Sequence, residues 1–198
     1  MDRVFDCTLE AMDWEAQGEV VRNIDTVFLL DVLEHVYNPW SALITLREVI
    51  SPHAQLVISL PNVRNMLLMR DLMNGYWHYR ESGLLDVTHI RFFTEHEALR
   101  MIYQTGFRVE KTTFTVCPGV LPIYEQMQNR AFPQTIAFEK GSVLVENAEE
   151  LRRLSALQHV FLVRPAQRSE LNREELALLD APHPMTFAMG GETPRHGA

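Results

Sequence analysis

The stretch that most constrains the fold covers residues 24–36, IDTVFLLDVLEHV. Its apolar run is too short for a stable helix and lacks polar alternation, which favours a strand buried on both faces of a parallel sheet. Asp31 follows the run directly, and Glu34 and His35 come just after it. Ligands bind at the carboxyl ends of strands in open α/β sheets. The stretch therefore predicts a central strand with Asp31 at the ligand edge.

The next segments predict a βαβ unit. Asn38 as N-cap and Pro39 at the first helical position begin a helix, which Ser51 and Pro52 end. QLVISLPN is a second buried strand that ends at Pro61. Because such units close right-handed with their strands parallel, the chain is expected to form an α/β fold.

Later segments indicate further elements. VFDCTL near the start predicts a first strand, Thr94 and Glu97 form a capping box for a helix ending at Gly106, and FRVEKTTFTV alternates like a strand. VLPIYEQMQNRAF, the segment after Asn147 and NREELALL suggest short helices, and HVFLVRP a last strand. We expect residues 1–164 to form the domain and the polar residues 165–198 to be a mobile tail.

Composition limits the function classes. A chain of 198 residues with 46% hydrophobic and 22% charged residues fits one globular domain. It has no membrane-spanning run and no signal-peptide pattern, so we expect a cytoplasmic protein without a membrane partner. The net charge of −8 argues against nucleic acid as a partner. Neither HExxH nor a paired Cys/His spacing occurs, so no metal site is predicted.

Five segments in order carry a resemblance: DVLEHV, the helix start at Asn38, LVISLPNVRN, DVTHIRFFT and EALRMIYQTGF. Together they resemble the carboxyl-terminal two thirds of class I S-adenosylmethionine-dependent methyltransferases, above all a bacterial group that often accompanies glycosyltransferases. The resemblance implies a Rossmann-like fold, with a mostly parallel sheet and helices on both faces. It also implies methyl transfer to oxygen of a small-molecule acceptor, such as a saccharide.

The same resemblance shows which family elements have no counterpart. The glycine-rich turn after the first strand, which cradles the cofactor, is not found before residue 24, and DRVFDCTLEAM resembles the family's third strand. We therefore expect a partial, truncated domain with its first strands missing and with S-adenosylmethionine binding weak or lost. An unpaired sheet edge would favour a homo-oligomer or a complementing N-terminal segment.

Site residues are assigned by the resemblance. It implies cofactor contacts for Leu30 and Asp31, with Asp31 beside the sulfonium, and for Asp6, which is out of register. Transfer to a hydroxyl needs a base, and His35 and His89 are the candidates.

Acceptor contacts are expected from Glu34, Pro61, Asn62 and Arg91. His89 and Arg91 are two apart, so an extended backbone would project both side chains the same way. Pro61 and Asn62 could instead serve only to end their strand.

Structural roles remain open for several of these residues. Asp31 and Glu34 could form a capping box, and His35 could be a hydrogen-bonded structural histidine. His89 and Arg91 could instead hold their loop in place through salt bridges to Asp86 or Glu95. Three interpretations follow: a methyltransferase in truncated or split form, a degenerate non-catalytic interaction module, or an incomplete product of a misplaced start.

Overall fold

The computed structural model describes residues 7–14, 16–17 and 21–184. The strands are β1 (Thr26–Leu30), β2 (Gln55–Pro61), β3 (Phe107–Val116), β4 (Gln134–Phe138), β5 (Gly141–Val145) and β6 (Ala156–Pro165). The helices are α1 (Pro39–Val49), α2 (Met66–Met73), α3 (Glu95–Gln104), α4 (Leu121–Gln128), α5 (Ala148–Ser155) and α6 (Arg173–Leu179). A short 3₁₀ turn, Leu33–His35, follows β1. Among the described residues, no helix is long and apolar enough to cross a bilayer.

The main sheet has the order β1-β2-β6-β3. β1 and β2 are parallel and joined by α1, as the predicted βαβ unit requires, while β6 runs antiparallel to both β2 and β3. Three of the four strands therefore point the same way. The predicted α/β fold with a mostly parallel sheet flanked by helices is confirmed.

Local signals set the helix ends as predicted. The Asn38 side chain accepts a hydrogen bond from the Ser41 amide with Pro39 at the first position, and the Thr94 hydroxyl accepts one from the Glu97 amide. Gly106 follows α3 with a φ of +82°, a left-handed conformation that an L side chain rarely adopts.

The core lies between one face of the sheet and helices α1 and α3. Alternate residues of each strand point into it, and the helices add apolar side chains at helical spacing. The buried set includes Leu29, Leu43, Leu46, Leu56, Ile58, Leu60, Met101, Ile102, Phe161 and Val163.

The expectation of a central β1 buried on both faces is wrong for the described residues. β1 pairs only with β2 there, so it lies at the sheet edge. Leu29 points into the core, whereas Phe28 is 64% and Leu30 51% exposed. An apolar run without alternation does not reveal which of its faces is covered.

The carboxyl-terminal half contains an element that the sequence analysis missed. β4 and β5 form an antiparallel hairpin, which packs with α4 and α5 around a second apolar cluster that includes Met127, Ile136, Val145, Leu151 and Leu154. The strands are only five residues long, so their pattern is too brief to identify them.

Residues 165–184 are packed rather than free, which corrects the predicted start of a mobile tail. In α6, the Glu175 carboxylate accepts hydrogen bonds from the Tyr103 hydroxyl at 3.1 Å and from Nε of Arg108 at 3.0 Å. The polar character of this segment reflects ion pairing, since Glu175 itself is buried. Residues 185–198 lie outside the described part of the chain. Residues 4–6 of the predicted first strand also lie outside it, and Leu9–Ala11, which follows them, forms a 3₁₀ turn.

Candidate functional site

Three strand ends meet at Asp31. β1 and β2 end there, and the antiparallel β6 begins there, so Ser59 of β2 and Gln158 of β6 reach the same carboxylate. Asp31 Oδ1 accepts hydrogen bonds from the Ser59 hydroxyl at 3.1 Å and from Gln158 Nε2 at 2.6 Å. The Asp31 backbone has a φ of +53°, and its amide donates to the Ser59 hydroxyl at 3.0 Å.

The Asp31 carboxylate is therefore fixed by hydrogen bonds from two neighbouring strands and does not act as a helix N-cap. The 3₁₀ turn after it has Val32 as its N-cap residue, without a side-chain hydrogen bond, so the capping-box interpretation is wrong. A non-glycine residue in the left-handed region is uncommon, and such backbone strain is concentrated at functional sites. The strand ends thus fix one carboxylate at the ligand edge of the sheet.

The loop that carries His89 is bonded to the 3₁₀ turn through the Glu34 main chain. The Glu34 carbonyl accepts from the amides of Ile90 at 2.9 Å and Arg91 at 3.0 Å. Within the loop, the Asp86 carboxylate accepts from the amide and hydroxyl of Thr88, and these hydrogen bonds lower the pKa of Asp86. His89 is thereby placed beside the turn from a position 54 residues further along the chain than His35.

Both imidazoles are oriented by backbone carbonyls. Nδ1 of His35 lies 3.1 Å from the Thr88 carbonyl, and Nδ1 of His89 lies 3.3 Å from the Leu84 carbonyl. A carbonyl only accepts, so in the neutral rings Nδ1 carries the proton and Nε2 carries a lone pair. The ring centroids are 4.8 Å apart, with the planes at 70°.

Glu34 adds a buried acid to the pair of imidazoles. Its side chain is fully buried, and neither carboxylate oxygen has a hydrogen-bond partner among the described residues. Burial raises the pKa of Glu34 to about 7, and the nearby Asp31 carboxylate acts in the same direction. Oε1 of Glu34 lies 3.9 Å from Nε2 of His89, so the two groups face each other without a hydrogen bond.

Asp31 and the imidazoles of His35 and His89 border a cleft of about 180 Å³, which we call the Asp31 cleft. Its lining is Asp31, His35, Pro61, Gly83, Leu84, Asp86, His89, Leu157 and Gln158. A second space of about 310 Å³ shares Gly83, Leu84 and Leu157 with it and continues to Arg80, so we call it the Arg80 cleft. The structure thus brings together Asp31, His35, His89 and Pro61, four residues that the sequence had marked.

Asn62 and Arg91 are placed away from this group. Nδ2 of Asn62 donates to the carbonyls of Arg153 at 2.8 Å and Ala156 at 2.9 Å, a structural role different from the strand-ending one considered in the sequence analysis. Arg91 donates from Nε to the Tyr37 carbonyl at 2.9 Å and does not line the Asp31 cleft.

The two remaining residues concern the expected cofactor contacts. Leu30 is exposed at the end of β1 and does not line either cleft. Asp6 lies outside the described residues. Neither acid proposed to pin the loop does so through Arg91, because Asp86 bonds to Thr88 and Glu95 pairs with Arg153.

Sequence reasoning missed Ser59, Gln158 and Leu84. The alternation within β2 could have identified Ser59, a polar residue in an otherwise apolar strand, as a side chain with a specific partner. No local signal identifies Gln158, because it reaches the site through the antiparallel insertion of β6 beside β2.

A family model matches this chain, and solved structures are similar to it. A family model described as a methyltransferase domain matches residues 2–112. One similar structure is an S-adenosylmethionine-dependent methyltransferase from Thermotoga maritima, a candidate histamine N-methyltransferase, with 12% identity and a TM-score of 0.38, covering 72% of this chain and 56% of that one. Another is a candidate methyltransferase from Bacillus halodurans, with 12% identity and a TM-score of 0.38, covering 74% of this chain and 66% of that one.

The extent of these matches is partial. The chain spans 56% and 66% of the lengths of the two structures, less than two thirds of either. No curated protein matches the chain.

Proposed function

The chain belongs to the methyltransferase domain family, and from this premise we propose that it transfers a methyl group from S-adenosylmethionine to a hydroxyl of a small acceptor. The observation that carries the proposal is the arrangement in the Asp31 cleft. There, a fixed carboxylate at the end of β1 lines the same cleft as two imidazoles whose Nε2 atoms, in the neutral rings, carry lone pairs. A carboxylate favours a sulfonium, and an imidazole accepts a hydroxyl proton.

The cofactor fits this part of the chain only at its sulfonium end. Asp31 is a suitable neighbour for a positive sulfur, because Ser59 and Gln158 bond its Oδ1 and hold it in place. Among the described residues, however, the first glycine is Gly75, so no glycine turn precedes β1 to hold the nucleoside. We therefore infer that the chain by itself binds S-adenosylmethionine weakly.

Asp31, His35 and His89 each have one task in this proposal. When bound, S-adenosylmethionine supplies a methyl group that bonds to the acceptor oxygen while the former C–S electron pair stays on sulfur. His35, with its exposed side chain, takes the acceptor's proton at Nε2, since Nδ1 is engaged with the Thr88 carbonyl. His89 is buried and positions the acceptor oxygen.

A saccharide is the acceptor class that the neighbouring surface favours. The Arg80 cleft offers charged groups, among them Arg70, Asp71 and Arg80, that can hydrogen-bond several hydroxyls. Exposed Tyr76 and Tyr79 lie in the loop that carries Arg80 and provide flat amphipathic surface for a sugar ring.

We also propose a cytoplasmic location for the protein, which cell fractionation would test.

Calorimetric titration of the 198-residue chain with S-adenosylmethionine tests the cofactor part of the proposal. The expected dissociation constant is weaker than about 100 μM. Binding at about 1 μM would contradict the inference that the chain by itself binds the cofactor weakly.

Transfer itself is tested with labelled S-adenosylmethionine at millimolar concentration and a panel of sugars and sugar nucleotides. Replacing His35 with Gln removes the proton-accepting nitrogen and should lower transfer about 100-fold or more, the range of general-base catalysis. The matched control is His53→Gln, whose side chain is exposed in the turn before β2. Equal rates for the two variants would contradict the base role, and no transfer to any hydroxyl would contradict the proposed reaction.

A further inference from the structure

The burial of Glu34 is not explained by the proposed reaction. Above its raised pKa of about 7, Glu34 is a buried carboxylate without hydrogen bonds, which is costly, and buried charges in proteins are paired or coordinate metal ions. Neither oxygen of Glu34 has a hydrogen-bond partner among the described residues, and the nearest cationic candidate, Nε2 of His89, is 3.9 Å away. Because His89 donates its Nδ1 proton to a carbonyl, the neutral ring presents the lone pair of Nε2 to the acid.

The surrounding atoms form a set of metal ligands. One carboxylate oxygen of Glu34 and one ring nitrogen from each of His35 and His89 lie within 4.8 Å of one another. In His35 the nitrogen that remains for a ligand is Nε2, since Nδ1 contacts the Thr88 carbonyl. We propose that Glu34, His35 and His89 bind one divalent transition-metal ion, and that Zn²⁺ fits this donor set.

The distances allow such a site with a small contraction. Ligand atoms at about 2.1 Å from one Zn²⁺ are about 3 to 4 Å apart, so the largest separation has to shrink by about 1 Å. A displacement of about 1 Å by the exposed His35 side chain would close the gap, while the 3.9 Å between His89 and Glu34 already lies in the range. One carboxylate and two neutral imidazoles balance half of the ion's charge.

The second layer of contacts also matches a metal site. Metal-bound histidines usually donate their other ring nitrogen to a carbonyl or carboxylate, which fixes the ring and the tautomer. Here the carbonyls of Thr88 and Leu84 take that role for His35 and His89. The triad was not visible in sequence, because its third member lies 54 positions beyond His35 and no HExxH spacing joins them.

Three protein ligands leave the fourth position of a tetrahedral ion open. His35 and His89 line the Asp31 cleft, so that position would take an acceptor hydroxyl. This role rests on the proposed function. With the ion bound, Nε2 of His35 is a ligand and no longer accepts a proton, so the base role proposed above applies to the metal-free protein, and the ion would instead lower the pKa of the acceptor hydroxyl.

The binding test needs neither cofactor nor acceptor. The chelator-treated 198-residue protein is titrated with Zn²⁺ in a calorimeter, and Co²⁺ is used in parallel as a spectroscopic probe. One equivalent should bind, with Mg²⁺ much weaker because it prefers oxygen ligands. Glu34→Gln and His35→Gln should each weaken Zn²⁺ binding about 100-fold or more, since even outer contacts of metal ligands are worth about 10- to 100-fold. The control His53→Gln should leave the affinity unchanged.

Two results would overturn the proposal: no stoichiometric Zn²⁺ binding, or equal affinity in the wild type and His35→Gln. The exposed His35 side chain makes this variant safe for folding, so the test does not depend on the buried Glu34. Failure of the proposed function is a separate result. Zn²⁺ binding without any methyl transfer would contradict the reaction alone, and chelator-resistant transfer without Zn²⁺ binding would contradict the metal site alone.

Discussion

His159 makes the stability of this protein depend on pH. The residue lies in β6 with only 2% of its side chain exposed, and neither ring nitrogen makes a hydrogen bond among the described residues. Burial lowers the pKa of His159 from 6.5 to about 4. The nearby guanidinium groups of Arg152 and Arg153 act in the same direction, while the carboxylates of Glu95, 3.6 Å away, and Glu149 oppose them.

The sign and the size of the effect follow from linkage. Between pH 6.5 and 4 the unfolded chain binds a proton at His159 and the folded chain does not, so the free energy of unfolding decreases as pH falls through this window. Above pH 6.5 the contribution is complete. The difference between the two pKa values corresponds to a loss of about 2 kcal/mol at pH 5 and about 3 kcal/mol at pH 4.

Replacing His159 with Gln removes the titrating group while keeping a polar side chain of similar size. Urea unfolding of the wild type and the variant is measured at pH 7.5 and pH 5, and the other titrating groups cancel in the difference. The wild type should lose about 2 kcal/mol more than the variant between these two values. His159→Leu, a second replacement that cannot titrate, should behave like the Gln variant.

The reasoning would be refuted by parallel pH dependence in the wild type and both variants. That result would mean that His159 binds its proton equally well in the folded and unfolded chains. An NMR titration of the imidazole gives an independent answer, because the folded ring should remain neutral at pH 5.5.

Three further changes test individual roles. Asp31→Asn keeps an oxygen that accepts hydrogen bonds from Ser59 and Gln158, and Asn tolerates the positive φ, so the melting temperature should not change. The affinity for S-adenosylmethionine, measured by calorimetry, should fall about tenfold because the negative charge is lost. Asn62→Ala removes the amide that donates to the carbonyls of Arg153 and Ala156, so the free energy of unfolding in urea should fall by about 1 to 3 kcal/mol. A changed KM at unchanged stability would instead support the acceptor-binding role. Gly106→Ala forces a side chain into a φ of +82° and should cost about 1 kcal/mol in the same assay, and no loss would contradict the strain argument.

Local chemistry determines where several of the helices begin and end. Asn38 with Pro39, the Thr94 cap and Gly106 each act on backbone groups within a few residues, so their effect can be read directly from sequence. The βαβ order around α1 also indicated that β1 and β2 are parallel, because neighbouring parallel strands need a long crossover connection and α1 supplies it.

The site was only half visible in sequence. Asp31 and His35 could be marked because they follow a strand, and DVTHIRFFT drew attention to His89. That Nε2 of His89 faces Glu34 depends on the hydrogen bonds between the loop and the Glu34 carbonyl, which no local pattern encodes. Asn62 shows the converse: it lies at the expected edge, but its amide is engaged by the end of α5 and the start of β6.

The sequence by itself determined the α/β class, the helix ends and the strand that carries Asp31, because these depend on side-chain period and on caps within one turn of the chain. Tertiary structure alone decided that β1 lies at the sheet edge in the described residues, that β6 inserts antiparallel and brings Gln158 to Asp31, and that Glu34 is buried against His89. Burial and pairing over such separations depend on which surfaces meet after the chain has folded, and the packing of the whole domain sets that outcome.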